Sequence, residues 1–269
     1  METNLPWQIR MFRKTLKKQM RLKELTGLLG TIQPEEKCLL VTCGDNNGAM
    51  NYFLRELGGT WSWSELEPQS IDEMRQLLGE EVQQDSFDKL HFPDRHFDRV
   101  VSIDCLEHIE DPYVFTRELH RICKTGGQVI ITIPGGDQKK IVNKLKNMVG
   151  MTKEEYGHVR DGLTVAELEP IMTGAGFEPN RRVTFSRFFT EMVELSINVL
   201  YVKVLAKKSE AKVEQGTIAP ATEDQLKSVA KQYRMYAVVY PIFKAISSLD
   251  VLLSCSEGYV TMVEGRRND

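Results

Sequence analysis

Apolar positions along the chain change period several times, and each change predicts an element. From about 6 to 29, Trp7, Met11, Leu16, Met20, Leu25 and Leu28 recur at roughly helical spacing among Arg10, Arg13, Lys14, Lys17, Lys18, Arg21 and Lys23. This predicts one basic amphipathic helix ended by Gly30. It is either a cover helix with a solvated basic face or a helix that meets an anionic surface. The continuous apolar run Cys38 to Val41 then reads as a buried strand. It breaks into Gly44-Asp-Asn-Asn-Gly48, residue types that tolerate positive φ. Ala49 to Leu57 is helical in pattern and closes on Gly58 and Gly59. Strand, glycine loop and helix together turn bare backbone N–H groups toward a ligand.

The alternation continues downstream. Trp61 and Trp63 alternate with serines, a strand period, with Glu65 and Glu67 at its end. Ser70 and Glu73 have capping-box spacing for a helix that stops at Gly79. Residues 81–84 read as a short third strand and Phe97 to Ile103 as a fourth. Asp111 and Pro112 start a helix through Cys123, and Gln128 to Ile133 is a fifth strand. This order predicts an α/β, Rossmann-like, mostly parallel seven-stranded sheet with helices on both faces. Ligands of such sheets bind at the carboxyl ends of the strands, where Gly44, Glu65, Glu67, Asp85 and Asp104 fall. Thr164 and Glu167 form a further capping box, and Phe177 to Phe185 is a sixth strand. Phe188 to Ala206 and Leu226 to Leu253 are apolar helices, the second broken at Pro241, and Tyr259 to Val263 is a last strand. The expected organisation is a basic helix at 1–30, a core at 31–186 and 256–269, and a helical insert at 187–255. The insert would be a cap or a dimer interface, with a mobile linker at 207–224.

Composition narrows this picture only a little. The chain has 269 residues, 41% hydrophobic and 27% charged, with formal net charge −3, which argues against a general nucleic-acid binder. None of the five cysteines is spaced as CxxC, so they read as reduced and mostly buried in a cytoplasmic protein with no metal site. No signal peptide and no run long enough to span a bilayer is expected; a peripheral membrane contact would rest on the basic helix.

Three motifs then resemble the class I S-adenosylmethionine-dependent methyltransferases, and within them the small-molecule, type-11 group. They are the loop Val41-Thr-Cys-Gly-Asp-Asn-Asn-Gly48, the run Gln84-Asp-Ser through Leu90-His-Phe-Pro-Asp-Arg-His-Phe-Asp98, and Val100-Val-Ser-Ile-Asp-Cys-Leu-Glu-His-Ile-Glu-Asp-Pro112. The resemblance covers roughly residues 36 to 185 and the final strand. Thr42 stands where the family has an acidic residue, and Asn46 replaces the middle glycine.

The resemblance implies that S-adenosylmethionine is bound and S-adenosylhomocysteine released. Cys43, Gly44, Asp45, Asn46 and Gly48 would form the cofactor loop. Either Glu65 or Glu67 would take the ribose hydroxyls. Asp85 would take the adenine amino group, with Ser86 and Phe87 along the ring, and Asp104 and Cys105 would border the methyl. Leu106, Tyr156 and Arg160 would contact the acceptor, a small or lipid-like molecule. His158 and His108 are candidate general bases or loop-fixing groups. O-methylation of a hydroxyl is the favoured reaction. A lipid- or quinone-type acceptor, or a degenerate binding scaffold, are the alternatives.

Overall fold

The computed structural model describes residues 5–44, 46–200, 226–227 and 230–268. The predicted linker 207–224 and loop residue Asp45 lie outside the described residues, as does the end of the first apolar helix. Seven strands form one sheet in the order β3-β2-β1-β4-β5-β7-β6. They are β1 (Lys37–Thr42), β2 (Thr60–Glu65), β3 (Gln83–Gln84), β4 (Phe97–Ile103), β5 (Cys123–Pro134), β6 (Phe177–Phe185) and β7 (Val260–Arg267). The first five pair in parallel, whereas β7 runs antiparallel to both β5 and β6.

Why the strands read as continuous apolar runs is visible in their two faces. Leu39, Val41, Val100, Val129 and Ile131 pack on one side with Phe115, Leu119 and Leu168. Their neighbours Cys38, Leu40, Val101 and Ile130 pack on the other with Leu25, Leu54, Met74, Trp61 and Trp63. A strand buried on both faces loses the polar alternation that an exposed face would impose. Trp61 and Trp63, two residues apart, share one face and stack at 5.4 Å.

Among the described residues the main helices are α1 (Trp7–Phe12), α2 (Leu16–Leu29), α3 (Ala49–Arg55), α4 (Ile71–Leu78), α5 (Pro112–Ile122), α6 (Ile141–Met148), α7 (Val165–Gly174), α8 (Phe188–Leu200) and α9 (Ala230–Ser248). The single N-terminal helix expected from periodicity is two. Lys14 N–H bonds Met11 C=O and Thr15 N–H bonds Phe12 C=O, tightening the turn and ending the first helix. Ser70 makes no side-chain cap bond, so its capping box is not formed, whereas that of Thr164 and Glu167 is.

Helix α9 runs through Pro241 rather than breaking there. Pro241 is exposed, so water can serve the carbonyl that its missing N–H leaves open. Contrary to the expectation from sequence, Tyr233–Leu253 is long and apolar enough to cross a membrane, by length and composition only. Asp250, just past α9, accepts hydrogen bonds from the N–H groups of Arg187 (2.7 Å) and Phe189 (2.8 Å), capping α8 from a distant part of the chain.

Candidate active site

The glycine loop sits where β1 ends, beside β4, the point at which strand order reverses. Gly44 has φ +75° and Gly48 φ +87°, both in the region that disfavours a side chain. A Cβ on Gly48 would meet Met74 Cα at 3.2 Å, so this glycine serves the packing of α3 against α4. A Cβ on Gly44 would meet Glu67 Oε2 at 2.9 Å, so the Glu67 carboxylate rests on the loop's bare face.

Glu65 and Glu67 therefore differ. Glu65 is fully buried; its Oε2 accepts the Thr42 hydroxyl at 2.6 Å and its Oε1 the N–H groups of Gly44 (2.7 Å) and Glu67 (3.0 Å). Burial pushes its carboxyl up, against those three bonds. Thr42 also accepts the Asn46 amide at 3.1 Å, and Asn46 donates to Asn51 at 2.7 Å. The two departures from the family loop thus knit it together from behind, with Glu65 as their common anchor. Glu67 is half-buried, and its carboxylate lies within 4.8 Å of ligand atoms of Cys43 and His108.

Beside the loop, Cys43 and His108 open on a cavity of about 860 Å³. Of the expected site residues, Cys43, Asp104, His108, Tyr156 and His158 line it, and beside them stand Glu107, Lys17, Arg21, Lys146 and Glu191, which were not among those expected. The His108 and His158 rings stand edge to face at 4.7 Å, and Tyr156 lies 5.7 Å from His158. Burial raises the Tyr156 hydroxyl to about 12. Glu107, His108 and His158 also offer ligand atoms within 4.8 Å of one another, a donor set that can hold a divalent cation.

Asp104 ends β4 with φ +48°, and Arg21 on α2 donates to its Oδ1 at 2.9 Å and lies 2.6 Å from its Oδ2. Deeper in the wall, Glu191 is fully buried between Lys17 (2.8 Å) and Lys146 (2.6 Å) and accepts the Ser186 hydroxyl at 2.5 Å. Burial opposes the Glu191 charge, but the two ammonium groups outweigh it and hold the carboxyl far below the usual range. The clamp joins α2, α6 and α8. Of the basic residues in the N-terminal helices, Lys17 and Arg21 point into the molecule. The signal for Glu191 was an acid inside the apolar stretch Phe-Phe-Thr-Glu-Met-Val, with Glu194 three residues on.

Other expected contacts lie elsewhere. Leu106 is a core side chain, 1% exposed, and not a cavity wall. Arg160 donates to the carbonyls of Ile109 and Glu110, bracing the loop rather than facing an anion. Cys105 is buried with its Sγ–H toward Ile103 C=O, and burial pushes its thiol well up, so it is no nucleophile. Ser86 bonds Asp88 at 2.7 Å, and Phe87 packs edge-on against Phe115.

Whether these residues fit the expected cofactor divides by region. At the sugar and methionine end they do: Cys43 and Asp104 border the cavity, and the Glu67 carboxylate, against the bare Gly44 backbone, lies close to Cys43 and His108. At the adenine end Asp85 is engaged, its Oδ2 by the Ser64 hydroxyl (2.6 Å) and its Oδ1 by the N–H (3.0 Å) and Nδ1 (2.6 Å) of His91. The His91 side chain is 56% exposed, so it can swing away.

Residues 39–131 match the model of a methyltransferase domain family. Over residues 39–131, match and strand order agree with a class I, S-adenosylmethionine-dependent methyltransferase domain. Among sequence relatives, the chain is similar to 2-methyl-6-phytyl-1,4-hydroquinone methyltransferase from Synechocystis sp., 30% identical over 109 residues. That stretch takes in 39% of this chain and about a third (34%) of the relative's length. Among solved structures, it resembles phosphoethanolamine N-methyltransferase 2 from Haemonchus contortus bound to S-adenosylmethionine (TM-score 0.57, 15% identity, 93% of this chain, 53% of that one). It also resembles geranyl diphosphate methyltransferase in complex with GPP and sinefungin (TM-score 0.57, 10% identity, 93% and 79% covered). At such identities the likeness is one of fold.

Proposed function

We propose that this protein methylates a hydroxyl of a largely apolar small molecule. The observation that supports this is the single cavity joining the cofactor loop, through Cys43 and Asp104, to the His108–His158–Tyr156 cluster. When bound, S-adenosylmethionine supplies a methyl carbon already activated by its sulfonium. The chain's part is to hold it and to align the acceptor. Gly44 and Glu67 would hold the sugar, Glu67 rather than Glu65 because only the former faces the cavity groups. Asp85 would take the adenine amino group once His91 has moved off. His158, with His108 as neighbour, would accept the proton that the hydroxyl loses.

Cavity size and lining favour an apolar, lipid- or quinone-like acceptor over a small polar one: Met11, Met151, Ile197, Val239 and Phe243 stand around it. The similar hydroquinone methyltransferase points the same way. A non-catalytic binding protein is the second reading, favoured by the engagement of Glu65 and Asp85 with the chain's own donors. Turnover of a phenolic or hydroquinone acceptor, followed by release of S-adenosylhomocysteine, tests the first reading. Cofactor binding without turnover of any hydroxyl acceptor would move it to another nucleophile.

A further inference from the structure

Helix α9 is apolar on both sides. Its inner side carries Tyr236, Tyr240 and Phe243, which pack with Leu16 and Val193. Tyr233 and Tyr236 donate to the carbonyls of Arg10 and Lys14, and Gln19 donates to the Tyr240 hydroxyl at 2.6 Å. Its outer side carries Met235 (64% exposed), Val238 (78%) and Ile242 (61%), followed by Leu249, Val251 and Leu252, all exposed. The spacing of Met235, Val238, Ile242 and Ala245 keeps them on one stripe, which Leu249, Val251 and Leu252 extend past the end of the helix. A helix apolar all round normally has both sides covered, and a stripe of this length left in water marks an interaction surface.

We propose that this outer face docks on an anionic lipid bilayer. Charge favours lipid headgroups: from Ala230 to Leu249 the helix carries exposed Lys231, Arg234 and Lys244 and no acidic residue. The face is also continuous with the active-site cavity, because Met235 and Val239 are exposed and line it at once. Helix α9 lies on the surface and does not cross it, since spanning would strip its inner tyrosines from α1, the turn after it and α2. The docking surface thus belongs to α9 and not to the basic N-terminal helices, whose Lys17 and Arg21 are paired inside. That the acceptor enters from the lipid past Met235 and Val239 rests on the methyltransfer reading; the docking does not.

Sedimentation of the full chain with vesicles tests the surface without any turnover. The wild type should sediment with mixed phosphatidylcholine–phosphatidylglycerol vesicles and less with phosphatidylcholine alone. Val238→Glu with Ile242→Glu should weaken this by about 10-fold or more, two buried aliphatic side chains being lost. Lys231→Gln, Arg234→Gln and Lys244→Gln together should remove the preference for the anionic vesicles. Unchanged melting temperature and S-adenosylhomocysteine affinity in both variants show that fold and cofactor site are intact. A wild type that stays in the supernatant with both vesicles overturns the proposal. So does a wild-type dimer that the Val238→Glu, Ile242→Glu variant converts to a monomer, which would assign the face to a second copy. Loss of cofactor binding with vesicle binding intact would instead remove the methyltransfer reading.

Discussion

The two ends of the candidate site are built on opposite terms. Behind the glycine loop, polar groups satisfy one another: Glu65 with Thr42 and Gly44, Asn46 with Asn51, Asp85 with Ser64 and His91. At the acceptor end, polar groups are held in an open cavity by elements far apart in sequence. Arg21 reaches Asp104 from α2, and Glu191 is clasped by Lys17 and Lys146. The first end is a rigid frame, fixed by local bonds. The second is a chamber whose shape depends on three helices staying together, and chemistry that needs a varied acceptor belongs there.

The contrast can be broken most forcefully at the histidines. His158→Ala should lower turnover about 10²–10⁴-fold with cofactor affinity nearly intact, as loss of a general base does. Measured kcat and S-adenosylhomocysteine affinity check this. Near-normal turnover in His158→Ala with loss in His108→Ala would move the base to His108. Next in size, Glu191→Ala takes from two inward ammonium groups the carboxylate that both contact and should destabilise the fold by about 2–4 kcal/mol in urea unfolding. A change under about 0.5 kcal/mol, the size of a plain surface substitution, would show that the clamp does not hold the chamber.

The clamp also sets a pH window. Glu191 has a lowered pKa, so its contribution is full above the ordinary 4.5 and is lost as pH falls through the lower folded value. Burial opposes the Lys17 charge, yet Glu191 outweighs it and raises the pKa. Its contribution is therefore full below the ordinary 10.5 and lost as pH rises through the higher folded value. Stability lost on both sides in the wild type, and flattened on both sides in Glu191→Ala, is the expected pattern in pH-dependent melting. The smallest effect is at His91: His91→Ala frees Asp85 Oδ1 of the ring and should change cofactor affinity by about 1 kcal/mol or less, toward tighter binding.

The frame was largely legible in the sequence because its signals are local. Strand runs, loop glycines and the Asp111–Pro112 helix start are all read within a few residues, and Asp111 does accept the Tyr113 N–H. The chamber was not, because its bonds join residues far apart: Lys17 stands near the start of the chain and Glu191 in its last third. Spacing could not decide between Glu65 and Glu67 either. Both lie beyond the same strand's apolar core, and only the fold of the loop puts one behind it and the other on its face. The exposed Pro241 shows the same limit, since its effect on a helix depends on whether water reaches the carbonyl it leaves open.

The central claim is that Glu67, and not Glu65, meets a cofactor at the face of Gly44. Calorimetric titration of S-adenosylhomocysteine into the wild type, Glu67→Ala and His158→Ala tests it most directly. The account predicts binding to the wild type, about 1–3 kcal/mol weaker binding to Glu67→Ala, and nearly unchanged binding to His158→Ala. No heat of binding to a folded wild type, or equal affinity in wild type and Glu67→Ala, would contradict it.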